Sequence, residues 1–432
     1  MREPNKHKKT VACLWGLAVS LFFLTAIFFV QSSFADIGPT KKTTTVRMKE
    51  SQEPAEQSST KKPWFDAKHF QEQLTYEDLK IHPRFRSEYV LDDNVFRERD
   101  GHTDSIFREI PGIQVVIPVK EHYFKADYEA QFEKFVHNGH ESDVNQYFKS
   151  EGALNFTNSF LRVTEDITKT SDRSGTTFTE RIPRFENNVD VTGGYLFNQF
   201  RLETGYNNFV RKYSTSREQF LEYHHNRLHS RLYMDVTEKT KTFVDYVLTD
   251  YTYPNDGTRD ATSNEISGGF KGYLLPKTSF FSKFGYEHIG YDSSSDGNHF
   301  VAEVGAHYDP LAGTSIDTGW TRSLEQSTYS TNSYLRQDEV FILLKQELTE
   351  KIAGESKVAY AKQHYPERAT AGNNIFTGKR DDDLFTFDIK LVYRFNSWMN
   401  GDVMYQYNRR DSNASVFDYT NNILTIGLSF QA

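Results

Sequence analysis

The stretch His122-Tyr123-Phe124-Lys125-Ala126-Asp127-Tyr128-Glu129-Ala130-Gln131-Phe132-Glu133-Lys134-Phe135 decides the fold. Phe124, Ala126, Tyr128, Ala130 and Phe132 alternate with Lys125, Asp127, Glu129, Gln131 and Glu133. A period of two sends successive side chains to opposite faces of a strand, so one face is apolar and the other charged. No helix separates the two sets so cleanly. Phe385, Phe387, Ile389, Leu391, Tyr393 and Phe395 divide in the same way from Thr386, Asp388, Lys390, Val392 and Arg394. So do Phe200, Leu202, Thr204 and Tyr206 from Arg201, Glu203, Gly205 and Asn207.

A single strand of this kind fits a soluble sandwich as well as a membrane barrel. The links between strands decide. Short links near 117–121, 157–159, 197–199, 236–241, 274–278, 309–313, 348–351 and 395–397 alternate with longer polar ones. The long ones fall near 92–104, 136–143, 168–182, 211–222, 252–263, 290–299, 323–335, 365–382 and 408–421. Tight turns at one rim and long loops at the other are the layout of an all-β, antiparallel, up-and-down transmembrane β-barrel, here of about 18 strands. An even count returns the C-terminus to the rim where the chain began.

An internal repeat runs alongside. Tyr206, Tyr246, Tyr286, Trp320, Tyr360 and Tyr405 each follow a short turn, most of them about forty residues apart. A propeller has a similar period, but four short strands per blade leave no room for strands of about nine to eleven residues. The closing segment places Leu424, Ile426, Leu428 and Phe430 on one face, with Gln431 and Ala432 following the last aromatic. Aromatics make up 15% of the chain although the mean hydropathy is −0.67, as expected where every second residue meets lipid.

The N-terminus reads differently. Arg2, Lys6, Lys8 and Lys9 lead into an uncharged apolar run from Val11 to Val30, and Ser33 and Ala35 are the small residues a signal peptidase reads. Residues 1–35 are therefore expected to be a signal peptide, the alternative being an uncleaved anchor helix. N-terminal sequencing of the outer-membrane fraction should begin at Asp36; an intact Met1 in the inner membrane would overturn the export reading. Cleavage moves the formal net charge from −8 to −11 and removes Cys13, the sole cysteine. The acidity argues against nucleic-acid binding, and the mature chain has no thiol for disulfide, nucleophile or zinc site. Residues 36–78, polar with scattered proline, are read as a flexible periplasmic tail ahead of a barrel over 79–432.

Few constellations carry chemistry. His225 and His229 share a strand face but sit about 13 Å apart, too far for one ion. Asp381-Asp382-Asp383 and Asp92-Asp93-Asn94 lack the spacing of a calcium loop, and no nucleophile elbow or phosphate loop is present. No cofactor, metal or catalytic residue is expected, and an outer-membrane hydrolase stands only as an alternative. The candidate pore-lining set is Lys125, Asp127, Glu129, Arg201, Glu203, Lys271, Lys283, Asp388, Lys390 and Arg394. It mixes both signs and gives no selectivity of one sign.

Ile81-His82-Pro83, Tyr89, Asp92-Asp93-Asn94-Val95-Phe96 and Ile110-Pro111-Gly112 resemble the opening of the putative β-barrel porin 2 family, with similarity over 79–430. There a first strand ends in an Asp-Asn-aromatic corner and a Pro-Gly pair opens the second. The resemblance implies an outer-membrane barrel with a porin-like role, associated with exopolysaccharide production, and defines no catalytic or ligand residues. The expected partners are outer-membrane lipid, the barrel-insertion machinery and polysaccharide or export components. A non-conducting structural role in an envelope complex is the alternative to a conduit.

Overall fold

The computed structural model describes residues 75–76, 79–171, 181–292, 296–327, 333–371 and 376–431. The expected signal peptide, and the tail apart from β1 (Thr75–Tyr76), lie outside them. The strands that follow are β2 (Leu79–Asp92), β3 (Asp104–Val119), β4 (His122–Phe135), β5 (Asp143–Asn155), β6 (Ser159–Thr170) and β7 (Arg184–Phe197). Next come β8 (Phe200–Tyr213), β9 (Tyr223–Thr237), β10 (Thr240–Thr252), β11 (Ala261–Leu275), β12 (Thr278–Tyr291) and β13 (Gly297–Tyr308). The last are β14 (Thr314–Gln326), β15 (Tyr334–Glu347), β16 (Ile352–Ala371), β17 (Phe376–Arg394), β18 (Met399–Ser412) and β19 (Tyr419–Gln431).

Each strand from β2 onward pairs antiparallel with its neighbours in sequence, and β19 pairs back to β2 through Phe430–Phe85 and Leu424–Leu91. The result is a closed barrel of eighteen strands, β2 to β19, with a stub, β1, paired to the start of β2. Closure leaves no free edge within the bilayer, where unpaired backbone groups would be costly.

The alternating faces take up the expected roles. Phe85, Leu91, Phe132, Leu228, Val244, Ile266, Ile342, Ile389 and Leu428 are exposed on the outer surface. The aromatic repeat is the girdle near the long-loop rim. Tyr206 donates to Asn226 at 2.6 Å, Tyr246 to Asn264 at 2.8 Å and Tyr405 to Asn422 at 2.7 Å, each hydroxyl reaching a polar side chain on the next strand. A ring in lipid with a wet hydroxyl is the interfacial arrangement. The short-turn rim has its own belt, with Phe430 against Phe85 and Trp398 and with Tyr393 against Phe395. We take the short-turn rim as periplasmic. Four of its turns have only two residues, Lys120-Glu121, Asn198-Gln199, Glu238-Lys239 and Pro276-Lys277, and Lys120 and Asn198 adopt positive φ.

Two expectations from the sequence are corrected. The stretch 365–382 is not a loop: β16 and β17 run through it and leave only 372–375 between them. Tertiary burial accounts for this, since Tyr365 and Arg380, polar in a one-dimensional reading, are both fully buried here. The Pro111-Gly112 pair does not open a strand but lies inside β3, whose pairing with β4 skips Ile110 and Pro111, where proline offers no N–H.

The register of β17 makes a test. Ile389 faces outward and Lys390 lies on the inner face, within 3.7 Å of Asp402. Ile389→Arg is expected to cost roughly 2 to 4 kcal/mol, and Lys390→Ala far less. Equal losses in reversible unfolding from liposomes would show the register to be wrong.

Candidate functional site

The inner face carries the charge, and its organisation begins at the seam between first and last strands. Arg84 and Arg86 of β2 reach in opposite directions. Arg84 crosses β3 to Asp127 on β4, with Nη1 donating at 2.7 Å, and also meets Glu129 at 3.2 Å. Arg86 crosses β19 to Asp402 on β18, at 2.5 Å, and donates to Ser429 on the way at 2.7 Å. Each passes over a glycine. A Cβ at Gly112 would stand 2.8 Å from Arg84 Nε, and one at Gly427 would stand 2.5 Å from Arg86 Nη2. The two glycines therefore serve as saddles that let each guanidinium lie against the wall and span two strands.

The network continues sideways. Glu88 accepts from Arg86 and from Arg108, Arg108 also donates to Glu133 at 2.7 Å, and Lys390 approaches Asp402. Above it, at the external end, Asn421 donates to Asp92 at 2.5 Å and Asn422 to Asp93 at 2.6 Å, while Asn94 bridges Glu98 and the Thr420 carbonyl. The acidic corner at 92–94 thus fastens β2 to β19.

The external mouth is folded over. Val95 packs against Val90, Ile106 and Phe135; Ile182 against Tyr213 and Leu221; and Ile289 against Ala261 and Tyr291. Arg181 caps Phe135 at 4.8 Å and pairs with Glu133. Between β10 and β11, Tyr253 donates to Gln326 on β14 at 2.7 Å, and buried Arg259 donates to the Ser327 carbonyl. Tyr253 lies outside the spanning strands, and burial raises its hydroxyl pKa above the ordinary tyrosine value. Arg380 lies fully buried between the rings of Tyr365 and Phe417 and pairs with Asp382.

Below the mouth a cavity of about 1160 Å³ remains, bounded by β2–β4, β8–β10 and β14–β19. Its wall runs from Asn400 and Ser429 near the periplasmic rim to Tyr419 and Gln326 near the external one. Arginines and carboxylates, the carboxamides of Gln131, Gln337, Gln363, Gln406 and Asn408, and the rings of Tyr223, His225 and Tyr251 line it. A family model described as Putative beta-barrel porin 2 matches residues 79–432, the whole of this barrel. The chain belongs to that family. It is a porin-like β-barrel of the bacterial outer membrane.

No curated protein sequence matches this porin-family chain. Among solved structures it is similar to the outer membrane protein OpdK of Pseudomonas aeruginosa, at 12% identity and TM-score 0.46, over 82% of this chain and 99% of that one. OccK7 (OpdD) of the same species matches at 10% identity and TM-score 0.47, over 83% and 99%. OccAB3 of Acinetobacter baumannii matches at 11% and 0.45, over 83% and 100%.

In the porin-family barrel the ten candidate residues all fall on the inner face, yet only Glu129 and Asp388 border the cavity. Asp127 and Glu129 are held by Arg84, Arg201 pairs with Glu203 at 3.2 Å, and Lys283 with Glu265 at 2.6 Å. Arg394 sits at the periplasmic rim, 3.6 Å from Glu347. In the strand register Lys125 stands opposite Glu151, and Lys271 opposite Lys241. His225 stacks on Phe209 and lies 3.1 Å from Asn207. Within the acidic run, Asp381 meets His364, Asp382 meets Arg380 and Asp383 meets Tyr360. Sequence reasoning missed Arg84, Arg86, Glu325, Glu339 and Gln363. The alternation Arg84-Phe85-Arg86-Ser87-Glu88 would have placed the first two on the inner face; nothing local singles out the others.

Proposed function

We propose that this outer-membrane porin-family barrel is a passive or gated conduit serving surface polysaccharide export, and that it carries out no catalysis. The observation that carries the reading is the long cavity walled by carboxamides, hydroxyls and ions. Carboxamides both donate and accept, as successive sugar hydroxyls require, and the aromatic rings offer apolar faces to sugar C–H groups. Polysaccharide, export components, outer-membrane lipid and the insertion machinery are the partners this reading assigns.

The folded mouth favours a second reading, a non-conducting structural component. Conductance separates the two. The purified barrel is expected to open discrete aqueous steps in planar bilayers, and deletion of residues 36–75 to enlarge them if the tail enters the lumen. Silence from protein whose heat-modifiable migration proves it folded would favour the structural role.

A further inference from the structure

We propose that residues 253–260, the loop between β10 and β11, are a latched gate over the external end of the cavity. The inference deepens the conduit reading, since a gate needs a passage, but release of the latch can be read whether or not the barrel conducts.

The loop is tied down on both sides. At its base the Asp260 carboxylate accepts from the Tyr253 N–H at 2.6 Å, and one 3-10 turn, Gly257–Arg259, shapes its second half. On one side Tyr253 donates to Gln326, the last residue of β14, at 2.7 Å. Arg259 donates to the carbonyls of Ser327 and Ser333, which lie on the link from β14 to β15. On the other side the Tyr253 ring stacks on Tyr223, the first residue of β9, at 5.3 Å, and Asn255 donates to Glu222 at 2.9 Å and to the Gln219 carbonyl at 3.0 Å. β10 to β13 stand between β9 and β14 in the wall, so the loop is a strap joining two separated parts of the rim. Tyr223 and Gln326 both border the cavity, and Tyr253, held between them, therefore sits at its external end.

The hold is slight. Tyr253 and Arg259 are each 3% exposed, whereas Pro254, Asn255, Gly257 and Thr258 are exposed. A segment with two buried anchors and a solvated remainder opens at a small fraction of the cost of global unfolding. Arg259 lowers that cost further. Its guanidinium rests over the Tyr253 ring at 4.7 Å and bonds only through Nη2, while its Nε and Nη1 have no partner among the described residues. Buried donors ordinarily have an acceptor, and a buried cation that meets carbonyls alone is uncompensated. Swinging outward returns its nitrogens to water. Arg380, equally buried, is different, because Asp382 neutralises it in place. The strap thus has closed and open positions close in free energy, as a gate requires and a brace does not.

The test uses the full mature chain. Tyr253→Phe removes one hydroxyl and keeps the ring, whereas Tyr253→Ala removes the ring as well. Tryptic cleavage after Arg259 on intact cells should quicken about threefold in the first and at least about tenfold in the second. In planar bilayers both variants, and Arg259→Ala, should spend more time in the larger conductance step than the unsubstituted chain. Glu121→Gln, on a periplasmic turn, should change neither reading. Cleavage after Arg259 equal in all chains would overturn the latch. Faster cleavage with an unchanged open fraction would overturn the gate and leave the conduit standing. Silence from every variant, with release proven by cleavage and folding by heat-modifiable migration, would overturn the conduit reading and the gate with it. Tyr253→Phe decides by the same measurements should the larger substitutions fail to fold.

Discussion

Arg86→Ala is expected to destabilise the closed barrel by about 3 kcal/mol, read from reversible unfolding out of liposomes. The reason lies in what the substitution leaves behind. The Asp402 side chain is 2% exposed, and Arg86 supplies both a 2.5 Å and a 2.9 Å bond to it. Breaking one side of a buried pair costs about 3 to 5 kcal/mol because the remaining charge is uncompensated. The low end applies because Lys390, 3.7 Å from Asp402, stays in place. Gly427→Val should reproduce most of the loss while leaving Arg86 intact, since its side chain would occupy the path of the guanidinium. The Arg86→Ala/Gly427→Val double variant should then be no worse than Arg86→Ala alone. Additive losses would show that the glycine does not act through the arginine.

Arg380→Ala is expected to cost a similar amount, about 3 to 5 kcal/mol, but at the mouth and not in the barrel. Arg380 and Asp382 are both fully buried, and the guanidinium rests 3.6 Å from the centre of the Phe417 ring. Its loss leaves Asp382 with Ser412 at 2.6 Å and Arg410 at 3.7 Å, and removes the seat of the segment 413–418. Heat-modifiable migration should be unchanged, while limited proteolysis on intact cells should cut near 413–418 many times faster. Conductance steps should become noisier or larger if this segment restricts the passage. Protection equal to that of the unsubstituted chain would show that Arg380 does not hold the mouth closed.

The sequence by itself determined the strands, their alternation and the face each side chain takes, because direction along a strand is a local property with a period of two. That rule put Ile389 outward and Lys390 inward, grouped the repeating tyrosines at one level, and set the eighteen-strand count from the links. It also indicated where the acidic corner at 92–94 stands, at the end of the first barrel strand. Local direction gives no account of neutralisation. Arg84 and Asp127 are 43 residues apart, and Arg86 and Asp402 are 316 apart. Those pairs exist because the barrel closes β19 onto β2 and because two glycines clear a path over the intervening strands. The stretch 365–382 looked like a polar loop for the same reason: only burial by Phe417, from another loop, makes Arg380 part of a folded mouth. Which of the lumenal charges stand paired is therefore decided only in the tertiary structure, where ion pairing depends on three-dimensional proximity and not on side-chain direction.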